Sequence, residues 1–454
     1  MKQEAFQGKG ILVIGAGISG VAAAGILQRL GATVTLSDSN PQEKIKQDLS
    51  GLRQDGVTLA FGHQGDELLK GIDILVLSPG VSIEIPLVSA ARERGIEVVS
   101  EIEVAYRLCK APIAAVTGTN GKTTTTTLIG EMFKTTGRPV AVGGNIGAAL
   151  SQEIMDISEQ GLVIAEISSF QLEGAVHFKP HIAAILNVTP DHMDRHHSLE
   201  NYRAVKEKIF ARQTAADYTL LNYDDPVVRE IAARVPSRTV FFSRQQELEQ
   251  GVFVKDGVLW IRWEGKQINV CPVADIQIKG SHNVENALAA CGVAYFSGVK
   301  PQDMARVLRE FPGVEHRIEP VATIDGVGYF NDSKATNPES SIKALDAFDD
   351  GQILLIAGGR DKKTDLTEFM QLAHRKVAQL ILLGEAAERF AVAATEQKVA
   401  GIQQVASMAE GVELGRRLAK PGQVVLLSPA CASYDMFDNY EQRGRAFKDL
   451  VRRL

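Results

Sequence analysis

The run Ile113-Ala114-Ala115-Val116-Thr117-Gly118-Thr119-Asn120-Gly121-Lys122-Thr123-Thr124 passes from an apolar strand-like stretch, through a glycine turn, into Lys-Thr and a helix-compatible segment. Residues of these types in this order hold a triphosphate. Backbone N–H groups of a tight glycine turn point at the phosphates, and the helix that follows adds its positive end. A lysine brings a point charge to the β/γ oxygens, and a threonine hydroxyl can ligate Mg²⁺. The spacing is a shortened form, Gly118-x-x-Gly121-Lys122-Thr123, with Val116 where the general pattern has a glycine. Without a ligand, the same residues would make a tight strand-to-helix turn.

Three further groupings carry chemistry. Glu166 lies near the end of the otherwise apolar run Leu162–Ile167, ahead of Ser168-Ser169-Phe170-Gln171. A carboxylate buried there needs a cation or a proton, and beside a phosphate turn a bridging Mg²⁺ supplies the cation; a structural Lys or Arg is the alternative partner. Asn187-Val188-Thr189-Pro190-Asp191-His192-Met193-Asp194-Arg195-His196 is a dense polar cluster directly after the run Ile182–Asn187. Loops at strand C-termini are where α/β sheets build sites, and His192 there can ligate a metal. Gly15-Ala16-Gly17-Ile18-Ser19-Gly20, with Asp38 ending the next strand, has the form of a dinucleotide fingerprint. Only five strands surround it, so it suits another nucleoside diphosphate such as a UDP moiety. Ser78-Pro79-Gly80 ends the fourth strand beside the same crevice.

The elements that must position these residues alternate between short β-branched runs and helical stretches, which predicts an α/β chain built on parallel sheets. At 454 residues, three domains are expected. Their boundaries fall at 1–101, 102–312 and 313–454. The expected strands of the first domain are Ile11–Ile14, Thr33–Ser37, Val57–Phe61, Ile74–Leu77 and Glu97–Val99. The second has Ile113–Thr117, Pro139–Val142, Leu162–Ile167, Ile182–Asn187, Tyr218–Leu221 and Thr239–Phe242, then a hairpin turning at Asp256-Gly257 and a long helix from Gly280 towards Phe296. The third opens with a hairpin at Asp325-Gly326 and resumes alternation at Ile353–Ala357, Leu380–Leu383 and Val424–Leu427. A net charge of −6 gives no reason to expect a nucleic-acid partner. The four cysteines, Cys109, Cys271, Cys291 and Cys431, are too dispersed for a zinc site and read as buried free thiols of a reducing compartment. No membrane span is expected, and a cytoplasmic monomer is the default reading.

The Gly118–Thr123 turn, Glu166-Ile167-Ser168-Ser169-Phe170-Gln171-Leu172 and Asp191–His196 together resemble the Mur ligase family, ATP-dependent amino-acid ligases of peptidoglycan synthesis. The resemblance spans all three blocks, with Gly280–Asn286, His316-Arg317, Asp332–Pro338 and Ser428–Phe437 also matching. It implies a Rossmann-like N-terminal domain, a central P-loop ATPase-like parallel-sheet domain and a Rossmann-like C-terminal domain. The dinucleotide-like first domain, Ser-Ser-Phe-Gln-Leu after Glu166 and the Ser428–Phe437 run point to the D-glutamate-adding branch. Its substrates would be ATP, D-glutamate and UDP-N-acetylmuramoyl-L-alanine.

The resemblance also implies roles, position by position. Gly118, Thr119, Asn120, Gly121, Lys122, Thr123 and Thr124 would hold ATP, with Asn283, Asn286, Arg317, Asp332 and Lys334 contacting its adenine, ribose or phosphates. Two Mg²⁺ ions would be held by Thr123, Glu166, His192 and a carbamylated Lys206, with Lys122, His192 and Lys206 catalytic. Gly15, Gly17, Ile18, Ser19, Asp38, Ser78, Pro79, Gly80 and Asn145 would bind the UDP substrate. Thr336, Lys362, Ser433 and Tyr440 would bind D-glutamate; Lys363 beside Lys362 and the hydroxyl of Tyr440 depart from the family pattern. Read without the resemblance, Lys206 is a solvated lysine on a helix beside the Tyr202/Val205/Ile209 stripe. The rival readings are a nicotinamide-dependent oxidoreductase resting on Gly15–Gly20, a nucleotide-binding regulator without turnover, and the L-alanine-adding or folate-glutamylating ligases.

Overall fold

The computed structural model describes residues 5–454, the Asp194 side chain excepted. Three sheets account for the strands. The first contains β1 (Gly10–Ile14), β2 (Thr33–Asp38), β3 (Thr58–Phe61), β4 (Ile74–Leu77) and β5 (Glu97–Ser100), all parallel in the order β3-β2-β1-β4-β5. The second contains β6 (Ile113–Thr117), β7 (Val140–Gly144), β8 (Leu162–Glu166), β9 (Ile182–Ile185), β10 (Tyr218–Asn222), β11 (Arg238–Ser243), β12 (Gly251–Lys255), β13 (Val258–Trp263) and β14 (Lys266–Pro272). Its order is β14-β13-β12-β11-β10-β9-β6-β8-β7, with β13 and β14 antiparallel additions to a parallel sheet. The third contains β15 (Glu319–Ile324), β16 (Val327–Asn331), β17 (Ile353–Gly358), β18 (Val377–Leu383), β19 (Ile402–Gln404) and β20 (Val424–Leu427), in the order β15-β16-β20-β17-β18-β19 with β15 antiparallel.

The central strands β4, β6, β8, β9, β17 and β20 are buried at every position, as strands covered by helices on both faces must be, and each reads as a continuous apolar run. Two strands were not expected. β14 carries Lys, Gln and Asn on a half-exposed edge, and β19 is three residues long. Two others end sooner than expected, β8 at Glu166 and β9 at Ile185, which puts Asn187 in a loop.

The chain forms two compact units, the described residues up to Asp275 with Glu285–Arg309, and Ile276–Val284 with Glu310–Leu454. The first two sheets share the first unit, where one hydrophobic core runs from Phe6 to Ile231. Polar contacts reinforce that joint. Glu103 Oε2 accepts the consecutive N–H groups of Val176, His177 and Phe178 at 3.0, 2.9 and 2.9 Å, while Oε1 accepts Arg107 at 3.1 Å. Arg107 also reaches Glu97 at 3.0 Å, and the Ser100 N–H donates to the Gly174 carbonyl at 3.0 Å. All four cysteines are buried, and none is joined to another described residue by a disulfide. Among the described residues no helix is long and apolar enough to cross a membrane.

Candidate active site

Strand register gathers the first set of site residues. Val116 pairs with Glu166 across β6–β8, Thr117 with Ile185 across β6–β9, and Gly144 with Glu166 across β7–β8. The Gly118 turn, Glu166, Asn145 and the loop after β9 therefore leave one edge of the sheet together. The helix Lys122–Lys134 starts at Gly121, whose φ of 84° is left-handed. A Cβ there would also strike the Asn286 side chain, so the position demands glycine twice over. Lys122 Nζ donates to the carbonyls of Gly118 at 2.9 Å and Thr119 at 2.8 Å, and Thr123 and Thr124 are buried on the first turn.

Lys206 corrects the reading of a solvated lysine. The helix Leu199–Glu207 buries Tyr202 and Lys206, and Nζ donates to the same Gly118 carbonyl at 2.9 Å. Burial, then the charge of Lys122, pulls its pKa well below the ordinary lysine value, against the opposing pull of Asp191. Two lysines thus meet at one carbonyl of the turn.

Glu166 is 2% exposed; its Oε1 accepts Asn145 Nδ2 at 2.9 Å, and its buried Oε2 has no hydrogen-bond donor among the described residues. Asn145, expected at the UDP substrate, is thus tied to Glu166, with its N–H also on the Glu166 carbonyl at 2.8 Å. His192 sits at φ 55° before the short helix Met193–His196, half exposed, with its ring 4.7 Å from that of Phe170.

In the first sheet, Ile14 pairs with Ser37 and with Leu77, so Gly15, Asp38 and Ser78 emerge together where the strand order reverses. The Ser78 hydroxyl donates to the Gly15 carbonyl at 2.7 Å, and Asp38 accepts the Ala16 N–H at 2.8 Å. Gly17 and Ile18 are exposed at the helix start, with Ser19 half-buried and Pro79 and Gly80 following Ser78.

In the second unit, Asn331 pairs with Leu427 and Ile356 with Leu427, so Asp332 and Ser428 leave one edge of the third sheet. Asp332 accepts the Ser428 hydroxyl at 2.7 Å and the Ile318 N–H at 3.2 Å. Burial raises its pKa to about 7, against the charge of Arg317. Lys334 Nζ lies 5.7 Å from the Tyr440 ring, Lys362 Nζ donates to the Thr336 carbonyl at 3.2 Å, and Ser433 is buried. Asn283 Nδ2 donates to the Lys279 carbonyl at 2.7 Å. Beside it, burial and the charges of Arg317 and Lys343 push His282 down to about 4.

Comparison with known proteins accounts for this arrangement. The Mur ligase MurD-like N-terminal domain matches residues 9–100, the Mur ligase middle domain 116–294, and the Mur ligase glutamate ligase domain 316–431. The chain is 47% identical over 450 residues to a UDP-N-acetylmuramoylalanine--D-glutamate ligase of Thermoanaerobacter sp. (strain X514), covering 99% of each. The chain belongs to the Mur ligase family. A ligase of the same name from Pelotomaculum thermopropionicum is 45% identical over 446 residues, covering 98% of each chain. Among solved structures, the UDP-N-acetylmuramate-alanine ligase of Thermotoga maritima has the same fold, with a TM-score of 0.61 at 20% identity over 98% of this chain and 99% of that one.

Mur ligases are ATP-dependent and generally require Mg²⁺. The donor set of this Mur ligase fits a divalent cation at Glu166, because a buried carboxylate oxygen with no donor is stable only beside a cation or a proton. The Glu315, His316 and Glu319 group shares one cation, Lys448, which donates to Glu315 at 2.7 Å and Glu319 at 2.8 Å.

Sequence reasoning missed two residues that shape these loops. Asn187 brackets the Asn120 peptide of the Gly118–Gly121 turn, accepting its N–H at 2.8 Å and donating to its carbonyl at 3.1 Å. Arg443 is buried and ties Ser333 to the Cys431 and Ala432 carbonyls; burial lowers it to about 10. Asn187 opens a cluster that was recognised, though no role of its own was read for it, whereas Arg443 reaches Ser333, more than a hundred positions away, and carries no local signal.

Proposed function

We propose that this Mur ligase joins D-glutamate to UDP-N-acetylmuramoyl-L-alanine, consuming ATP and forming ADP and phosphate. The observation that carries the reading is the full-length likeness to relatives named for that ligation, at 47% identity in the first case. The geometry agrees with it: a phosphate turn, a buried carboxylate and two converging lysines suit activation of a carboxylate by a triphosphate.

A carboxylate is a poor electrophile, and its hydroxide a leaving group that amines cannot displace at neutral pH. Attack of the alanyl carboxylate oxygen on the γ-phosphorus, with ADP leaving, converts it to an acyl phosphate. The D-glutamate amine then adds to that carbonyl, and the tetrahedral intermediate expels phosphate as the nitrogen loses its proton. Lys122 and the turn's N–H groups stabilise the negative charge that gathers on the transferred phosphoryl group. Thr123, Glu166, His192 and Lys206 are the residues that would hold two Mg²⁺ ions, Lys206 as a carbamate formed from its neutral amine. When bound, the ions screen the repulsion between carboxylate and triphosphate. Gly15, Gly17, Asp38, Ser78 and Gly80 hold the UDP portion. Thr336, Lys362, Ser433 and Tyr440 hold D-glutamate, whose two carboxylates need a cation and hydroxyl donors.

Phosphate release should require D-glutamate together with ATP, Mg²⁺ and UDP-N-acetylmuramoyl-L-alanine, and should slow when bicarbonate and CO₂ are stripped from the buffer. Equal turnover with L-glutamate would refute the amino-acid assignment, and indifference to bicarbonate the carbamate.

A further inference from the structure

We infer that Arg195 is a positioning residue that sets the substrate loop of the first sheet against the phosphate centre of the second, an inference that rests on the ligase reading above. It lies three residues after His192 in the short helix Met193–His196, with a side chain only 14% exposed. Its guanidinium is engaged on every side. Nη1 donates to the Pro79 carbonyl at 2.9 Å and Nη2 to the Val81 carbonyl at 2.8 Å, bracketing Gly80 in the loop that leaves β4. From the same fork, Nε and Nη2 reach the two oxygens of Glu173 at 3.0 and 2.5 Å. Its plane lies over the Phe170 ring, 4.1 Å from the centroid.

Each of these partners belongs to a part of the reaction centre. Phe170 packs against the His192 ring at 4.7 Å, and Glu173 ends the helix Ser169–Glu173, which begins three residues after Glu166. The Pro79 and Val81 carbonyls belong to the loop assigned to the UDP portion, which Ser78 ties to Gly15. One planar cation therefore spans from the loop that holds one end of the substrate to the ring beneath the histidine at the other end. Arginine is suited to this because its donors are fixed in a plane that can fork to a carboxylate and stack on an aromatic at once; a lysine ammonium is a point charge with no plane. The alanyl carboxylate must reach the γ-phosphorus within attack distance, and a misplacement of about 1 Å costs on the order of a hundredfold in rate. Arg195 holds that separation without touching the reacting atoms.

The test compares wild type, Arg195→Lys and the double variant Arg195→Met/Glu173→Gln, which removes both members of the ion pair. Turnover is measured at saturating substrates. Binding of UDP-N-acetylmuramoyl-L-alanine and of a non-hydrolysable ATP analogue is measured separately by calorimetry. A positioning role predicts kcat lower by at least tenfold in Arg195→Lys and about a hundredfold in the double variant, with both dissociation constants within threefold of wild type. Turnover within threefold of wild type in folded Arg195→Lys overturns the inference. So does a joint fall of turnover, both affinities and melting temperature, which would mark a structural residue only. If the double variant does not fold, Arg195→Lys decides alone. Absence of D-glutamate-dependent turnover in wild type would instead refute the ligase reading.

Discussion

Asn187→Ala should weaken ATP binding by ten- to thirtyfold. The Asn187 amide makes two hydrogen bonds to the Asn120 peptide, at 2.8 and 3.1 Å, while its main-chain carbonyl, untouched by the substitution, still accepts the Thr119 N–H at 3.0 Å. Each side-chain bond contributes about 1 kcal/mol net, so the pair contributes about 2 kcal/mol to holding the turn. That energy can be lost in two ways. If the turn keeps its shape, the loss appears as stability; if it relaxes, the turn must be reordered on binding, and 2 kcal/mol becomes about thirtyfold in affinity. Gly118 and Gly121, at φ 153° and 84°, leave the turn little stiffness of its own, which favours the second outcome. Asn187→Asp sharpens the argument. It keeps an acceptor for the Asn120 N–H but sets a second oxygen, and a negative charge, against the Asn120 carbonyl beside the proposed phosphate site. It should bind ATP more weakly than the alanine variant although it is nearly isosteric. Calorimetric titration of a non-hydrolysable ATP analogue with Mg²⁺ reads both, with binding of the UDP substrate as the control that should not move. Affinities within twofold of wild type in both variants, or an aspartate variant that binds better than alanine, would refute the reasoning.

Two other substitutions test the charges. Glu166→Gln keeps an oxygen for Asn145 but removes the carboxylate; turnover should fall at least about a hundredfold while the metal-free protein melts at a higher temperature, since an unpaired buried carboxylate oxygen costs about 1–3 kcal/mol. Equal stabilisation of both proteins by Mg²⁺ with the ATP analogue, seen by thermal shift, would remove Glu166 from the metal site. Asp332→Asn tests pH linkage. The folded pKa of Asp332 is about 7, above its ordinary 3.8, so the native state binds the extra proton and wild-type stability falls as pH rises through that window. The variant should therefore gain stability over wild type between pH 4 and 7, by up to roughly 4 kcal/mol in urea unfolding. A difference that stays constant across that range would show that Asp332 ionises freely.

What could be read from residues alone was whatever depends on local pattern. Buried parallel strands such as Ile113–Thr117 and Val424–Leu427 are continuous apolar runs bounded by turns, and they were located to the residue. β14 escaped because its alternation is diluted by Lys266, Gln267 and Asn269 on an edge, and β19 because three residues form no period. The Gly118–Thr123 turn and Glu166 stand out locally because a glycine turn before Lys-Thr and a carboxylate at the end of an apolar strand are both costly without a function. The burial of Lys206 does not, since a helix that presents one lysine inward has the same composition as one that presents it to water. Arg195 depends on the Pro79 carbonyl and Arg443 on the Ser333 carbonyl, both far along the chain, and carbonyls leave no trace in side-chain identity.

The carboxylate of Glu103 has a consequence for how this chain can be divided. It caps three successive N–H groups at 176–178 from a helix that begins directly after the last strand of the first sheet. The boundary expected near residue 101 falls between Glu97 and Arg107, and between Ser100 and Gly174, so a cut there strips partners from both pieces. The first sheet and its helices are thus not a portable module. Grafting them onto another ligase would require carrying the matching 173–178 strap and the arginine at 195, and natural exchange between relatives faces the same constraint. In this chain the unit of inheritance is the pair of sheets.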